Sequence, residues 1–238
     1  VCGKLEKEVI TRVVSGMAEA CRAQECSLTG GETSEQPGVV PAGIYVLTAS
    51  VVGVAEKKYI IDGSTIRAGD QVLAVASNGL HTNGYTLVRA LLDAQPDLAA
   101  VDVDGESFLD AILRPHQCYY RAVRHLFPSG ILHGMAHITG GGVQGNLNRV
   151  LPADLDAQID LNAIEIPTLF RTLHRRGQLD PLDMLRPFNM GVGLALVVTP
   201  QDADAVLAHL SAHDCRAYAI GEITSGGKEV HYSGDLAL

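Results

Sequence analysis

Four short glycine-bearing segments contain most of the side chains that could do chemistry. The first, residues 30–38, reads Gly-Gly-Glu-Thr-Ser-Glu-Gln-Pro-Gly. Its glycines would let the backbone approach a ligand closely, and Glu32 and Glu35 offer the hard oxygen ligands that suit Mg²⁺ between phosphates. An exposed acidic turn has the same composition, so the segment by itself leaves both interpretations open.

The second segment, residues 77–85, lies between an apolar strand pattern and the start of a helix pattern. Backbone amides at such a junction form an anion site, to which Ser77, Thr82 and Asn83 would add neutral donors. His81 could polarise or protonate a substrate oxygen near neutral pH. A histidine that is simply hydrogen-bonded within a turn is the alternative.

The third and fourth segments are residues 137–142, His-Ile-Thr-Gly-Gly-Gly, and residues 188–193, Phe-Asn-Met-Gly-Val-Gly. Three glycines directly before a helix pattern indicate a phosphate-binding loop, although the spacing is neither the Walker nor the Rossmann pattern. A tight turn is the alternative for the third segment. Glycines at a strand start, as in the fourth, equally indicate close backbone packing.

The other histidines show no spacing typical of metal ligands, and we expect them at surfaces in ordinary hydrogen bonds. This group includes His116, His125, His133, His174, His209 and His213.

Composition narrows the class of protein. The chain has 238 residues, of which 47% are hydrophobic, and a net charge of −9, which argues against a nucleic-acid surface because phosphate backbones need clustered Lys and Arg. Five cysteines without a CxxC pair indicate reduced thiols and a cytoplasmic location. The longest apolar run, near residues 44–55, is too short to span a bilayer, so no membrane contact is expected.

Apolar periodicity predicts an α/β (α+β) fold in two parts, with a boundary near residue 62. Residues 4–25 are predicted to form a helix with one wide apolar stripe that would cover a sheet, and residues 44–54 are predicted to form a strand buried on both faces. Beyond the boundary we predict strands at 71–76, 157–161, 192–198, 217–223 and 229–232, and helices from residue 87 onwards and at 107–113, 117–126, 143–150, 166–175 and 202–212. Thr199, Pro200 and Asp202 would begin the last helix.

Taken in order, five motifs resemble the AIR synthetase family, the phosphoribosylformylglycinamidine cyclo-ligases. They are GKL at 3–5, GGETSEQPG at 30–38, SNGLHTNGY at 77–85, HITGGG at 137–142 and FNMGVG at 188–193. Parts of this set recur in a wider ATP-binding superfamily that includes selenophosphate synthetase and thiamine-monophosphate kinase. The resemblance implies a homodimer, with residues 1–62 as the remnant of a ferredoxin-like N-terminal domain and residues 63–238 as a complete AIR-synthetase-type C-terminal domain.

The sequence departs from the family pattern at three places. The glycine-rich loop and the Asp-Gly-Val-Gly-Thr-Lys-like segment that the family carries upstream of Gly-Lys-Leu have no counterpart in these residues. Gln36 stands where the family usually has Met, and Leu80 where it often has Pro. We therefore expect this chain to fold but to lack part of the active site.

The resemblance also implies the chemistry, which is ATP-dependent ring closure of formylglycinamidine ribonucleotide to aminoimidazole ribonucleotide. His81 would be the catalytic residue, and Glu32 would be the metal ligand, with ATP and Mg²⁺ bound near Glu32, Thr33 and Glu35. The residues implied to bind substrate and phosphate are Ser77, Gly79, Thr82, Asn83, Gly84, Thr139, Gly140, Gly141 and Gly142. Those implied to line the site are His137, Asn189, Gly191 and Gly193. A phosphoryl-transfer enzyme of the same superfamily, or a module that only binds or dimerises, is the alternative.

Overall fold

The computed structural model describes all residues, 1–238, and divides them into two compact units. The first unit is Val1–Ala55 and the second is Glu56–Leu238. The sequence placed the domain boundary near residue 62.

The first unit contains one long helix, α1 (Lys7–Ala23), within the range predicted from the apolar stripe. None of its residues is buried, so the prediction that the helix covers a sheet is wrong. The predicted strand at 44–54 is also wrong, because only Tyr45 forms an isolated bridge, to Cys2, and Val52 is 94% exposed. β-branched residues favour a strand only where a neighbouring strand accepts the backbone hydrogen bonds, and this unit supplies only the short bridge around Cys2.

The second unit alternates strands and helices, and most of the predicted elements are present. The strands are β1 (Gln71–Ala76), β2 (Asp102–Val103), β3 (Glu106–Ser107), β4 (Leu132–His137), β5 (Leu155–Asp160), β6 (Val192–Val198), β7 (Ala217–Ser225) and β8 (Val230–Ser233). The helices are α2 (Tyr85–Ala94), α3 (Phe108–Ile112), α4 (Tyr120–Val123), α5 (Gly142–Leu147), α6 (Thr168–Gly177), α7 (Pro181–Met184) and α8 (Pro200–Ser211). None of the helices combines the length and apolarity needed to cross a membrane.

Six strands form one sheet in the order β4-β6-β1-β7-β5-β8, and β2 pairs with β3 in a separate ribbon. All neighbours in the large sheet are antiparallel except β5 and β8. The strand β4 was not predicted, because its sequence Leu-His-Gly-Met-Ala-His contains no β-branched residue. As an edge strand it needs only one partner, β6.

Helices cover both faces of this sheet. Side chains alternate along β1, so that Val72 and Ala74 join the larger core with α3, α5 and α6, whereas Leu73 and Val75 join a second core with α4 and α8. Because both faces of the sheet are buried, the residues of β1 and β6 are apolar almost without interruption. The mixed α/β fold class predicted from the sequence is confirmed.

Candidate active site

Asn189 joins the second and fourth glycine segments. The strands β1 and β6 are antiparallel neighbours, so the end of β1 lies beside the start of β6. Asn189 accepts hydrogen bonds from the Ser77 hydroxyl and the Gly191 amide, both at 2.9 Å, and donates to the carbonyl of Gly79 at 2.9 Å. With both its amide donor and its acceptor used, this 3% exposed side chain holds the two segments as one unit.

Close contacts also place the third segment beside the second. A Cβ on Gly84 would lie 2.2 Å from the Phe188 ring, so only glycine allows the second and fourth segments to approach this closely. A Cβ on Gly140 would lie 3.2 Å from the side-chain oxygen of Asn83. Three of the four predicted segments therefore come together at one end of the sheet, and the other lies in the first unit.

The triple-glycine loop between β4 and α5 is held by hydrogen bonds within the chain. The Gly141 amide donates to the Arg186 carbonyl at 2.9 Å, and the Gly142 amide donates to the Thr139 carbonyl at 3.0 Å. Two of the three amides that the sequence assigned to a phosphate thus already have protein acceptors. Phosphate binding by this loop stays a prediction.

Asn146 is a residue that sequence reasoning missed. Its side-chain amide donates to the Gly142 carbonyl at 2.8 Å, and its side-chain oxygen accepts from the Thr139 hydroxyl at 3.1 Å. It therefore fixes the triple-glycine loop from inside α5. The only indication in the sequence was an Asn four residues after the glycines, and an Asn at that spacing also occurs in helices that hold no loop.

A groove of about 1000 Å³ opens beside this loop, between the Gly141–Gly145 turn and the C-terminal residues. Its charged lining residues are Asp180, Arg186 and Asp235. With one cation against two carboxylates, the charge of the groove does not by itself favour an anionic ligand.

The His81 side chain is held in one tautomer. The Asn78 amide donates to the Pro115 carbonyl at 2.9 Å, which turns the Asn78 side-chain oxygen towards His81 Nε2, 3.0 Å away. Because that oxygen only accepts hydrogen bonds, Nε2 carries the proton and Nδ1 has a lone pair. His81 Nδ1 is buried and has no hydrogen-bond partner.

Burial, with smaller effects from charge on His116 and His137, lowers the pKa of His81 to about 4. The imidazole is therefore neutral at pH 7 and presents a lone pair. The sequence suggested that His81 could protonate a substrate oxygen, whereas this geometry suits acceptance of a proton. His81 also has a left-handed backbone, with φ of 59°, as does Met190 of the fourth segment, with φ of 50°.

His116, which the sequence assigned to an ordinary surface position, lies against His81. The two ring centroids are 3.8 Å apart, and His116 Nε2 is 3.2 Å from His137 Nε2. Burial, with a smaller effect from His116, lowers the pKa of His137. The loop before α4 brings His116 to this place, and no spacing in the sequence relates it to the other two.

The first segment lies in the first unit, where Glu35 has a structural role. Its carboxylate accepts a hydrogen bond from the Leu5 amide, and its backbone forms a bridge with Cys2. Glu32 and Thr33 are exposed. No group of three ligating side chains includes Glu32 or Glu35, and magnesium binding at these residues stays a prediction.

A mixed six-stranded sheet with helices on both faces and glycine loops gathered at one end is the architecture of the AIR synthase related proteins, and the chain belongs to this family. Residues 67–233 match the model of the AIR synthase related C-terminal domain, and residues 1–55 match that of the N-terminal domain. The resemblance identified from the motifs is confirmed.

Relatives named phosphoribosylformylglycinamidine cyclo-ligase align with nearly the whole chain. The protein from Methylobacillus flagellatus is 44% identical over 95% of this chain, and the protein from Chromobacterium violaceum is 46% identical over 93%. The chain spans 65% of the length of each of these two relatives.

Solved structures show the same fold at low identity. Escherichia coli HypE superposes with a TM-score of 0.64 at 22% identity, covering 97% of this chain and 66% of that one. Thiamine-monophosphate kinase from Stenotrophomonas maltophilia gives 0.65 at 17% identity, covering 99% and 70%. A HypE structure described as a complex with ATP gives 0.65 at 22% identity, covering 96% and 66%.

Proposed function

We propose that this protein closes the imidazole ring of aminoimidazole ribonucleotide from formylglycinamidine ribonucleotide, with ATP as the phosphoryl donor and release of ADP and phosphate. The observation that carries the proposal is the 44% identity to a named cyclo-ligase over 95% of the chain. The homodimer and the use of Mg²⁺ that the resemblance implies, and the cytoplasmic location that the cysteines indicate, belong to the same proposal.

The reaction needs activation of a poor leaving group. The formamide oxygen of the substrate takes the terminal phosphoryl group of ATP, the amidine nitrogen then attacks the formyl carbon, and phosphate leaves with the former oxygen. The attacking nitrogen loses one proton as the ring forms. No covalent enzyme intermediate is required, so the protein contributes positioning and hydrogen bonding.

In this proposal His81 accepts the proton that the amidine nitrogen loses. The imidazole is neutral at pH 7 and its Nδ1 lone pair is unused, while Nε2 stays bound to Asn78. A positioned proton acceptor typically contributes about 10²–10⁴-fold in rate. Asn78 acts through His81 as a positioning residue.

The neighbouring loops would hold the ribonucleotide. Thr82 is exposed, and Asn83 donates to it at 3.4 Å, a weak bond that a ligand could replace. Gly140 lies against Asn83, so a ligand bound there would contact the second and third segments together. Glu32 and Thr33 are exposed, and in this proposal they face ATP. Glu32 would be the ligand of the Mg²⁺ ion that accompanies ATP.

The test is an assay of the protein as its gene encodes it, with ATP, Mg²⁺ and formylglycinamidine ribonucleotide. We expect aminoimidazole ribonucleotide, ADP and phosphate in equal amounts. A stable phosphorylated product would instead identify a kinase of the same fold, and binding without turnover would identify a module that only binds ribonucleotide. Either outcome contradicts the proposal.

A matched pair of variants examines the assigned residue. His81→Gln should lower turnover by about 10²-fold or more, because glutamine cannot take up the proton. His213→Gln changes a surface histidine that hydrogen-bonds the His209 carbonyl, and should leave turnover unchanged. Turnover of His81→Gln within a few-fold of wild type would remove His81 from the mechanism.

A further inference from the structure

Three imidazoles lie together in the second unit, close enough to bind one metal ion once the stacked His81 and His116 rings rotate apart. One ring nitrogen from each of His81, His116 and His137 lies within 4.8 Å of the other two. The His116 and His137 nitrogens are 3.2 Å apart. With metal–nitrogen bonds of about 2.0–2.1 Å, the edge of a tetrahedral zinc site is about 3.3–3.4 Å, so this pair already has nearly the required separation.

Hydrogen bonds around the cluster leave lone pairs on two of these rings. His116 Nδ1 lies 2.7 Å from the Gln117 carbonyl, which can only accept, so Nδ1 carries the proton and Nε2 has the lone pair. His81 Nε2 donates to Asn78, and its Nδ1 is buried without any partner. An orphaned buried lone pair costs free energy unless something binds it.

These outer hydrogen bonds have the pattern found around metal-binding histidines, where the second ring nitrogen donates to a carbonyl or carboxylate and fixes the ring. Asn78 serves this purpose for His81, and the Gln117 carbonyl serves it for His116.

We propose that His81, His116 and His137 form an inhibitory binding site for a divalent transition-metal ion such as Zn²⁺ or Co²⁺. An ion bound there takes the His81 Nδ1 lone pair that accepts the proton in ring closure, so the ion and turnover exclude each other. Three imidazole nitrogens suit these ions and are poor ligands for Mg²⁺, which prefers oxygen. His116 and His137 are exposed, so an ion has a path from solvent.

A second histidine group provides the matched control. His209 and His213 have ring centroids 4.3 Å apart, but His209 Nε2 bonds the Ala122 carbonyl at 2.8 Å and His213 Nδ1 bonds the His209 carbonyl at 2.8 Å. Neither ring belongs to a group of three ligand atoms within 4.8 Å of one another. If surface histidines bound the metal ion without specificity, substitutions in the two histidine groups would weaken metal binding equally.

The experiment is a Co²⁺ titration of the chelator-treated protein without a polyhistidine tag, followed by visible absorption, with calorimetric Zn²⁺ titration alongside. A Cys118→Ser background removes the exposed thiol two residues after His116. We expect one ion per chain and the intense visible bands of four-coordinate Co²⁺. His116→Gln should weaken binding by at least about tenfold, and His213→Gln should not change it.

Asn78→Ala supplies a second variant that removes no ligand. It should weaken Zn²⁺ binding by about 10–100-fold, because the His81 ring loses its orienting acceptor. Unfolding curves of each metal-free variant check that the fold is retained. Absence of Co²⁺ bands, or equal losses in His116→Gln and His213→Gln, would overturn the proposal. The titration uses neither ATP nor ribonucleotide, so its result is separate from that of the ring-closure assay.

Discussion

The hydroxyl of Ser77 donates a hydrogen bond of 2.9 Å to the side chain of Asn189, 112 residues further along the chain. This contact links the residue after β1 to the residues before β6, and Asn189 extends it to the carbonyls of Gly79 and Leu80. One buried amide thus fixes the loop that carries His81. Several stability effects can be expected from this and comparable contacts.

Asn189→Ala should reduce the free energy of unfolding by roughly 2–4 kcal/mol, because it leaves the Gly191 amide buried without a partner and removes the amide donor to the Gly79 carbonyl, which keeps only the Ser77 hydroxyl. Urea denaturation measures the difference. Asn148→Ala, which removes an exposed bond to the Lys228 carbonyl, serves as the control and should cost much less. Equal losses for the two variants would show that Asn189 does not hold the loops together.

Gly142→Ala should destabilise the protein by about 3 kcal/mol or more, since its φ is +62° and a Cβ would lie 1.9 Å from the Leu185 carbonyl oxygen. Gly145→Ala lies in the same helix, where a Cβ meets nothing within 4 Å. That change should stabilise by up to about 1 kcal/mol through helix propensity. Thermal unfolding of both variants tests the contrast, and the same sign for both would contradict it.

Asp156 should make stability depend on pH. Its carboxylate accepts from the Glu229 and Gly227 amides and from His231, and the Glu229 hydrogen bond is the main cause of its lowered pKa. A carboxyl whose pKa is lower in the folded state contributes stability above its unfolded pKa of about 3.9, and this contribution is lost as the pH falls through the folded value.

Asp156→Asn should therefore lower Tm at pH 7, with a difference from wild type that narrows as the pH falls below about 4. Asn keeps an acceptor oxygen but not the charge. Asp154→Asn, at an exposed neighbouring position, is the control and should show no such narrowing. A constant difference in Tm across the pH range would count against a role for the Asp156 charge.

Thr199 begins α8 as its N-cap, accepting from the Asp202 amide at 3.2 Å and donating to the Asp202 carboxylate at 2.7 Å. Thr199→Ala should cost about 1 kcal/mol in urea denaturation, because the Asp202 amide loses its side-chain acceptor and the Asp202 carboxylate loses its hydroxyl donor. Thr199→Ser keeps the hydroxyl and should stay within a few tenths of a kcal/mol. A serine variant as unstable as the alanine variant would assign the loss to the methyl group instead.

The sequence predicted well those elements whose signal is local. β6 has the predicted bounds, and α8 begins at the predicted cap, because continuous apolar runs and capping residues act on their own neighbours. The motifs also indicated the family, because the residues of each motif are consecutive in the sequence. For residues 44–54 the same apolar signal failed, because a strand forms only where another strand pairs with it.

What the tertiary structure alone decided is which distant groups meet and which of their atoms remain available. His116 lies 35 residues from His81 and 21 from His137, yet the loop before α4 stacks it on one and sets it beside the other. The tautomer of His81 depends on Asn78, whose orientation depends in turn on the Pro115 carbonyl. Residue type determines what an imidazole can do, but burial and hydrogen-bond partners, which come from chain segments far apart in sequence, determine which nitrogen carries the proton.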